Sequence, residues 1–547
     1  LTMIYSEPGA PVPVTNTETP AAKQEQFVLS DEEILQLARW CQVIEEHYGK
    51  PMDIEWARDG ETGEIFIIQA RPETVQFARN PHMISEFRMQ AGGNVLTTGQ
   101  AIGNKASHGR ARILQSAAEG ASLQEGDIVV TDLTSPDWDP VLKDARAIIT
   151  NKGGRTSHAS IVARELGVPA IVGCGDATSV IRDGDMITVS CCEGKTGRVY
   201  EGKVPFAVHE TDFSNTVLPK RTKVMLIIGD PEKAFRYSFY PCDGVGLMRL
   251  EFIITHFVKV HPMALVKFDT LADEAVKEQI SVITHHYADK KQYFTEKLAQ
   301  GIATIAAAFY PKDVIVRMSD FKTNEYANLV GGASFEPKEE NPMLGFRGAS
   351  RYYHPLYREG FALECAAIRR VRQQMGLTNV KIMIPFCRTV GEAEKVIEEM
   401  RLHGLDRSSD RGLEFYMMAE IPSNVLLASR FADLFDGFSI GSNDLTQLTL
   451  GIDRDSAIIS ELFSEQNEAA KKMISMMIEN ARAAGRPVGL CGQAPSDYPE
   501  FARFLVQRGI SSISFTPDAL VKGIENIVFA EKKNMKADVI TLLNAGT

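Results

Sequence analysis

From residue 221 onward, short apolar segments alternate with helical ones. The apolar cores lie at 224–228, 244–248, 314–316, 382–384, 415–419, 437–440 and 488–490, with an eighth expected at 343–346, fourth in chain order. This alternation is the sequence form of a (β/α)8 barrel, an α/β fold in which a parallel sheet closes on itself inside a ring of helices. It also fixes where function must lie. Arg249 follows the second core and Arg317 the third, with Asp320 and Lys322 just beyond. Arg347 follows the expected fourth, Glu420 ends the sixth, Asn443 and Asp444 end the seventh and Cys491 ends the eighth. In a barrel all of these reach the C-terminal rim, where the chemistry of this fold takes place.

The residue types specify that chemistry. Two carboxylates, Glu420 and Asp444, suit one Mg²⁺ with positions left for substrate oxygens. Three arginines and Lys322 suit a carboxylate and a transferring phosphoryl group. Cys491, between Leu490 and Gly492, is either a proton carrier or an inert buried thiol.

A second chemical signal lies upstream, in Gly153-Gly154-Arg155-Thr156-Ser157-His158. Ile161, Val162 and Leu166 give a helical spacing that stops at Gly167, with Pro169 beyond. Thr156 or Ser157 can cap the first turn. Free N–H groups at a helix start favour an anion, so His158 is suited to carry a phosphoryl group on a ring nitrogen. Strands are expected at 128–130, 147–150, 170–172 and 186–189, with Gly-Asp turns at 126–127 and 184–185. The reading is a compact unit at 96–205, a helix and linker over 78–95, and a second linker over 206–220.

Residues 1–26 read as loop. A helix then starts at Ser30, whose capping box closes on Glu33. Strands at 53–57 and 65–72 form a hairpin around a turn at 59–63. The chain begins at Leu1 rather than Met and is read as a fragment, or as a gene product missing its front. Its 547 residues call for several domains. A net charge of −12 argues against a nucleic-acid or anionic membrane surface. No apolar run is long enough for a membrane span, and no secretory leader is visible. The eight cysteines are scattered, which implies a reducing cytosol and a cytoplasmic location rather than a disulfide framework. No Cys/His spacing suggests zinc.

The run from Gly153 to Gly173 resembles the phosphohistidine domain of the enzymes that interconvert pyruvate and phosphoenolpyruvate (PEP), the PEP-utilising family. The resemblance extends over nearly the whole chain. It implies a swivelling phosphohistidine α/β domain at 96–205, a PEP/pyruvate-binding TIM barrel at 221–547, and at 1–77 the remnant of an ATP-grasp domain. It makes His158 the phosphorylated residue and Cys491 the proton donor. Arg249, Arg317, Lys322, Arg347 and Arg454 become substrate-binding residues, together with Gly441, Ser442, Asn443 and Asp444. Glu420 and Asp444 become the Mg²⁺ ligands. The hairpin resembles the closing strands of the ATP-grasp domain, where Glu55 and Gln69 face Mg–ATP and Arg71 contacts phosphate. The rest of that domain would precede Leu1.

Gly153-Gly154-Arg155-Thr156, the run Thr134-Ser135-Pro136-Asp137-Trp138-Asp139-Pro140-Val141, and Gly492-Gln493 resemble the synthase branch most closely. That branch takes pyruvate, ATP and water to PEP, AMP and phosphate. The alternatives are a pyruvate phosphate dikinase, an enzyme I-like phosphotransferase, or a non-catalytic PEP-binding fragment. The resemblance further implies a homodimer and a regulatory kinase/phosphorylase acting on Thr156, two residues before His158.

Overall fold

The structure, a computed structural model, describes residues 2–6, 13–20, 23, 26–72, 83–154, 157–194, 196–453, 456, 458–492 and 494–545. The chain divides into two compact units, Leu1–Pro81 with Ser281–Ala288, and His82–Ile280 with Asp289–Thr547.

In the first unit, β1 (Thr2–Tyr5) pairs antiparallel with β2 (Val14–Thr17), where the sequence suggests only loop. Both strands are four residues long, too short to show a period. The helix Asp31–Tyr48 starts as expected: the Ser30 N–H donates to Glu33 Oε2 (2.7 Å) and the Glu33 N–H to Ser30 Oγ (3.3 Å). The hairpin of β3 (Met52–Arg58) and β4 (Ile65–Pro72) turns on Asp59, whose Oδ1 accepts from the N–H groups of Glu61 and Thr62. Its register sets Glu55 opposite Gln69 and Asp53 opposite Arg71, so these four side chains share one face.

The second unit opens with β5 (Met83–Met89), which pairs antiparallel with β13 (Phe206–Asp212). This corrects two expectations at once. Where a helix was read within 78–95 a strand runs over Met83–Met89, and the two presumed linkers hydrogen-bond to each other. A partner distant in sequence decides the conformation here, which local propensity cannot show. Between them lie β6 (Val95–Ile102), β7 (Ala106–Ile113), β8 (Ile128–Thr131), β9 (Ala147–Thr150), β10 (Ala170–Val172), β11 (Met186–Ser190) and β12 (Thr196–Glu201). They close a barrel in the order β10-β6-β12-β11-β7-β8-β9. One side of the sheet buries Ile128, Val130, Ile149 and Ile171 in a core of its own. The other side, through Val129, Ile148 and Val172, seats the helices Asp139–Asp144 and His158–Leu166.

The remaining eight strands are β14 (Lys223–Ile228), β15 (Gly244–Arg249), β16 (Asp313–Arg317), β17 (Val380–Ile384), β18 (Phe415–Ala419), β19 (Gly437–Ile440), β20 (Val488–Leu490) and β21 (Ser512–Phe515). Each pairs parallel with the next and β14 pairs with β21, so the expected (β/α)8 barrel closes. One member was misplaced by the sequence reading. Residues 343–346 form no strand: they lie in the loop between β16 and β17, where the Phe346 N–H donates to Glu339 Oε1 (2.9 Å) and Leu344 is exposed. The true eighth strand is β21, whose Ser-Ile-Ser-Phe sequence carries only two apolar residues. Glu420, Asn443/Asp444 and Cys491 therefore follow strands five, six and seven of the barrel, and Arg347 comes from a loop.

The two barrels of this unit meet at the helix Leu250–Ile253, where Phe252 joins Trp138, Leu142 and Val162 in one apolar cluster. Lys233 Nζ donates to the C-terminal carbonyl of Leu166, and Arg164 Nη2 lies 3.7 Å from Asp497 Oδ2. These contacts aim the N-terminus of the His158 helix at the C-terminal mouth of the (β/α)8 barrel.

Candidate active site

A single cavity of about 180 Å³ forms at that mouth. Its wall includes His158 and Asp139 from one barrel, and Arg249, Arg317, Lys322, Arg347, Glu420, Gly441, Asn443, Asp444 and Cys491 from the other. Residues spread over more than 330 positions of the sequence thus converge on one space.

His158 begins its helix, with extended Ser157 before it. Its ring is held at both nitrogens. Thr134 Oγ1 is 3.1 Å from Nδ1, and Asp139 Oδ1 is 2.8 Å from Nε2. Both partners belong to the 134–141 run, yet neither had a role legible in the sequence. The only signal was their position just after β8.

On the barrel side the charges interlock. Arg347 is 4% exposed. Its Nε and Nη2 donate to the two oxygens of Asp320 (3.1 and 2.6 Å), and Nη2 also donates to Asp444 Oδ2 (3.0 Å). Its guanidinium lies 3.9 Å over the Phe386 ring. Burial opposes charge on Arg347, but Asp320 and Asp444 overcome it and hold the guanidinium well above its usual range. Arg317 Nη2 donates to Glu251 Oε1 (2.5 Å), which also accepts from the Asp320 N–H (2.7 Å). Arg317 Nε, Glu251 Oε2 and Asn443 Oδ1 are buried with no hydrogen-bond partner among the described residues. Such groups are costly unless a ligand satisfies them.

One oxygen from each of Asp320, Glu420 and Asp444 falls within 4.8 Å of the others. Burial, then the neighbouring Asp444 and Asp320 carboxylates, push the Glu420 carboxyl up. Three buried carboxylates at this separation fit a hard divalent cation, which would relieve their repulsion. Gly441 belongs beside them: a Cβ there would lie 2.7 Å from Glu420 Oε2. Asp320, the third carboxylate, was noted in the sequence but not assigned to a metal site.

Cys491 is 6% exposed, and Ser439 Oγ donates to its Sγ at 3.2 Å. Burial pushes the thiol pKa up, so it carries its proton at neutral pH. Ser442 is set apart: it does not line the cavity, and its buried hydroxyl donates to Glu465. Arg454, Thr156, Arg155 and Gln493 lie outside the described residues. In the first unit, Glu55 and Gln69 face each other across the hairpin, and Arg71 is paired with Asp53 (Nε–Oδ2 2.9 Å) on the exposed face they share.

Residues 207–529 match the family described as PEP-utilising enzyme, PEP-binding domain, and residues 123–194 match PEP-utilising enzyme, mobile domain. The first match alone covers more than half of the chain. The chain belongs to the PEP-utilising enzyme family. Residues 1–91 match a third description, pyruvate phosphate dikinase, AMP/ATP-binding domain. Among relatives, the phosphoenolpyruvate synthase of Synechocystis sp. is 54% identical over 538 residues, 97% of this chain and 65% of that protein. That of Aquifex aeolicus is 51% identical, covering 97% of this chain and 68% of that protein. That of Escherichia coli is 50% identical, covering 92% and 63%. The chain thus spans about two thirds of the length of these relatives. Among the described residues, no helix is long and apolar enough to cross a membrane.

Proposed function

We propose that this chain carries the PEP/pyruvate half of a phosphoenolpyruvate synthase, in which pyruvate, ATP and water yield PEP, AMP and phosphate by way of phospho-His158. The observation that carries this reading is the shared cavity: a histidine, three arginines, an acidic cluster and a buried thiol line one space at the barrel mouth. The synthase relatives support the reaction type.

In the PEP-to-pyruvate direction, the carboxylate and phosphoryl group of PEP lie among Arg249, Arg317, Arg347 and Lys322, which neutralise their charge. The Thr134 hydroxyl accepts from Nδ1–H of His158, and Asp139, 2.8 Å from Nε2, takes the proton of that nitrogen and gives way, so the Nε2 lone pair takes phosphorus as the P–O bond to the enolate oxygen breaks. The Cys491 thiol then protonates C3 of the enolate. Mg²⁺, held by Glu420 and Asp444, would supply positive charge to the developing enolate oxygen. Asn443 and Gly441 border the same space, and we assign them to substrate binding with Asp444, together with Ser442 and Arg454 on the family resemblance.

The division into 1–77, 96–205 and 221–547, with a swivelling middle domain, belongs to this reading. So do ATP as a substrate met by Glu55, Gln69 and Arg71, a homodimer, a cytoplasmic location, and control by a kinase/phosphorylase at Thr156. The test is labelling from PEP. With Mg²⁺ and phosphoryl-labelled PEP, the chain is expected to acquire one acid-labile phosphate, absent from H158A, and to release pyruvate. Labelling of H158A from PEP would overturn the assignment.

A further inference from the structure

Ser442 turns away from the substrate cavity, although its neighbours Gly441, Asn443 and Asp444 line it. Its buried hydroxyl donates to Glu465, a residue the reaction above does not use. Glu465 is 6% exposed and also accepts a hydrogen bond from the backbone of Ala494. It therefore ties two loops together. One follows β19 and carries Asn443 and Asp444; the other follows β20 and carries Cys491. The junction is tight: a Cβ on Gly492 would fall 1.8 Å from Ser442 Oγ and 2.9 Å from Glu465 Oε1.

A buried carboxylate is costly unless a cation offsets it. Burial pushes the Glu465 carboxyl up to about 7, and the neighbouring Asp497 carboxylate adds to the rise. The offsetting cation comes from the other barrel. Arg164 stands in the last turn of the His158 helix and is 7% exposed. Its Nη2 lies 3.7 Å from Asp497 Oδ2, and its charge pulls the Glu465 carboxyl back down. A cation in the last turn of a helix commonly serves the helix dipole. That role needs no partner from another domain, whereas this guanidinium is buried against two carboxylates of the opposite barrel.

We propose that Arg164 signals docking to the substrate rim through Glu465. As the His158 helix seats, the guanidinium completes the charge around Glu465 and Asp497, and Glu465 fastens the Asn443–Asp444 loop to the Cys491 loop. The rim is thus assembled while the histidine faces it and loosens when the helix leaves. The gain is timing. An enolate formed before the phosphorylated histidine arrives has nothing to attack and reverts to pyruvate. Arg164 and Glu465 line no part of the substrate cavity and are positioning residues.

The inference rests on His158 serving this cavity, and the experiment separates the two. The full chain with Mg²⁺ is followed by hydrogen exchange of peptides spanning 437–447 and 488–497, and by rapid-quench labelling of His158 from PEP. In R164M and in E465Q both peptides should exchange about tenfold faster, and labelling at saturating PEP should slow about tenfold, within the range of coupling inside one network. Strand β14 should keep its protection in both variants, and R164K should restore the rim. The double variant should exchange no faster than E465Q alone. Unchanged rim exchange in R164M would overturn the proposal and leave Arg164 a docking contact only. A further full increase on adding R164M to E465Q would overturn it as well, as would normal labelling in a variant whose rim exchanges faster. Labelling of H158A would instead remove the histidine assignment, and the exchange comparison does not depend on it.

Discussion

Glu420→Gln separates what the acidic cluster contributes to stability from what it contributes to metal binding. Glu420 is 2% exposed, and its carboxyl lies among Asp320 and Asp444 within the 4.8 Å cluster. Burial, followed by those two carboxylates, pushes its pKa from 4.5 to about 8. A rise of that size corresponds to on the order of 5 kcal/mol at most, since each pKa step is worth about 1.36 kcal/mol. The sign follows from linkage. The unfolded chain releases this proton near pH 4.5 and the folded chain only near pH 8, so the contribution is present below 4.5 and is lost as pH rises through 8. Gln keeps the shape and can still accept from the Phe386 N–H, which reaches Glu420 Oε1 at 2.7 Å. Without Mg²⁺ at pH 8.5, E420Q should therefore be more stable than wild type by roughly 2–5 kcal/mol, with the difference shrinking toward pH 5. Mg²⁺ at 100 times its dissociation constant should return about 2.7 kcal/mol to the wild type and far less to E420Q. Urea unfolding at the two pH values, with EDTA or with Mg²⁺, measures all of this. Destabilisation of E420Q in EDTA at pH 8.5, or equal Mg²⁺ stabilisation of both proteins, would refute the reasoning.

Three further outcomes are expected. T134V removes the acceptor 3.1 Å from His158 Nδ1, and should slow PEP-driven labelling of His158 by at least about tenfold with PEP affinity unchanged; rapid-quench labelling reads both. K233A removes the ammonium that caps the Leu166 carbonyl and lies 3.5 Å from Asp230, so spin labels on the His158 helix and on the barrel should show a longer mean separation, with Tm little changed. T156E places a negative charge two residues before His158 and should abolish its labelling by repelling the incoming phosphoryl group. Full labelling of T156E would exclude an electrostatic switch.

The sequence carried the barrel because six of its eight strands hold apolar runs of three or more residues, glycine included, and a seventh, β19, is interrupted only by Ser439. It lost β21 because Ser512 and Ser514 occupy the inward positions of that strand. Those serines, with Gly246 and Gly489, line a second cavity of about 490 Å³ in the N-terminal half of the barrel, so the feature that hid the strand also sets it apart. The loop at 343–346 misled for the opposite reason: Met343, Leu344 and Phe346 are apolar, but they serve to deliver Arg347. The cavity-lining residues at strand ends were legible because a parallel barrel sends every strand end to one rim. Partners that act across the fold were not. Asp320 holding Arg347, Glu251 holding Arg317 and Thr134 against His158 are set by tertiary distance, and no spacing encodes them. The pairing of β5 with β13 was illegible for the same reason.

The way the two barrels of the second unit meet bears on whether His158 can leave. The apolar part of the contact centres on Phe252, which enters the Trp138–Leu142–Val162 cluster. The rest is made of single polar contacts. Lys143 stands 4.0 Å from Glu232, His256 Nε2 is 3.4 Å from the Asp139 carbonyl, and Arg164 is 3.7 Å from Asp497. None has the short bidentate geometry of Arg347 with Asp320, and an exposed pair such as Lys143 with Glu232 is worth about 1 kcal/mol or less. Meanwhile the chain enters and leaves the phosphohistidine barrel through neighbouring strands, β5 and β13, which pair along their full length. Both connections thus leave from one place, so the barrel between them can turn without either strand being stretched. A strongly bonded substrate rim, a weakly bonded docking face and a paired two-strand tether are the combination that a histidine ferrying phosphorus to this cavity and away from it requires.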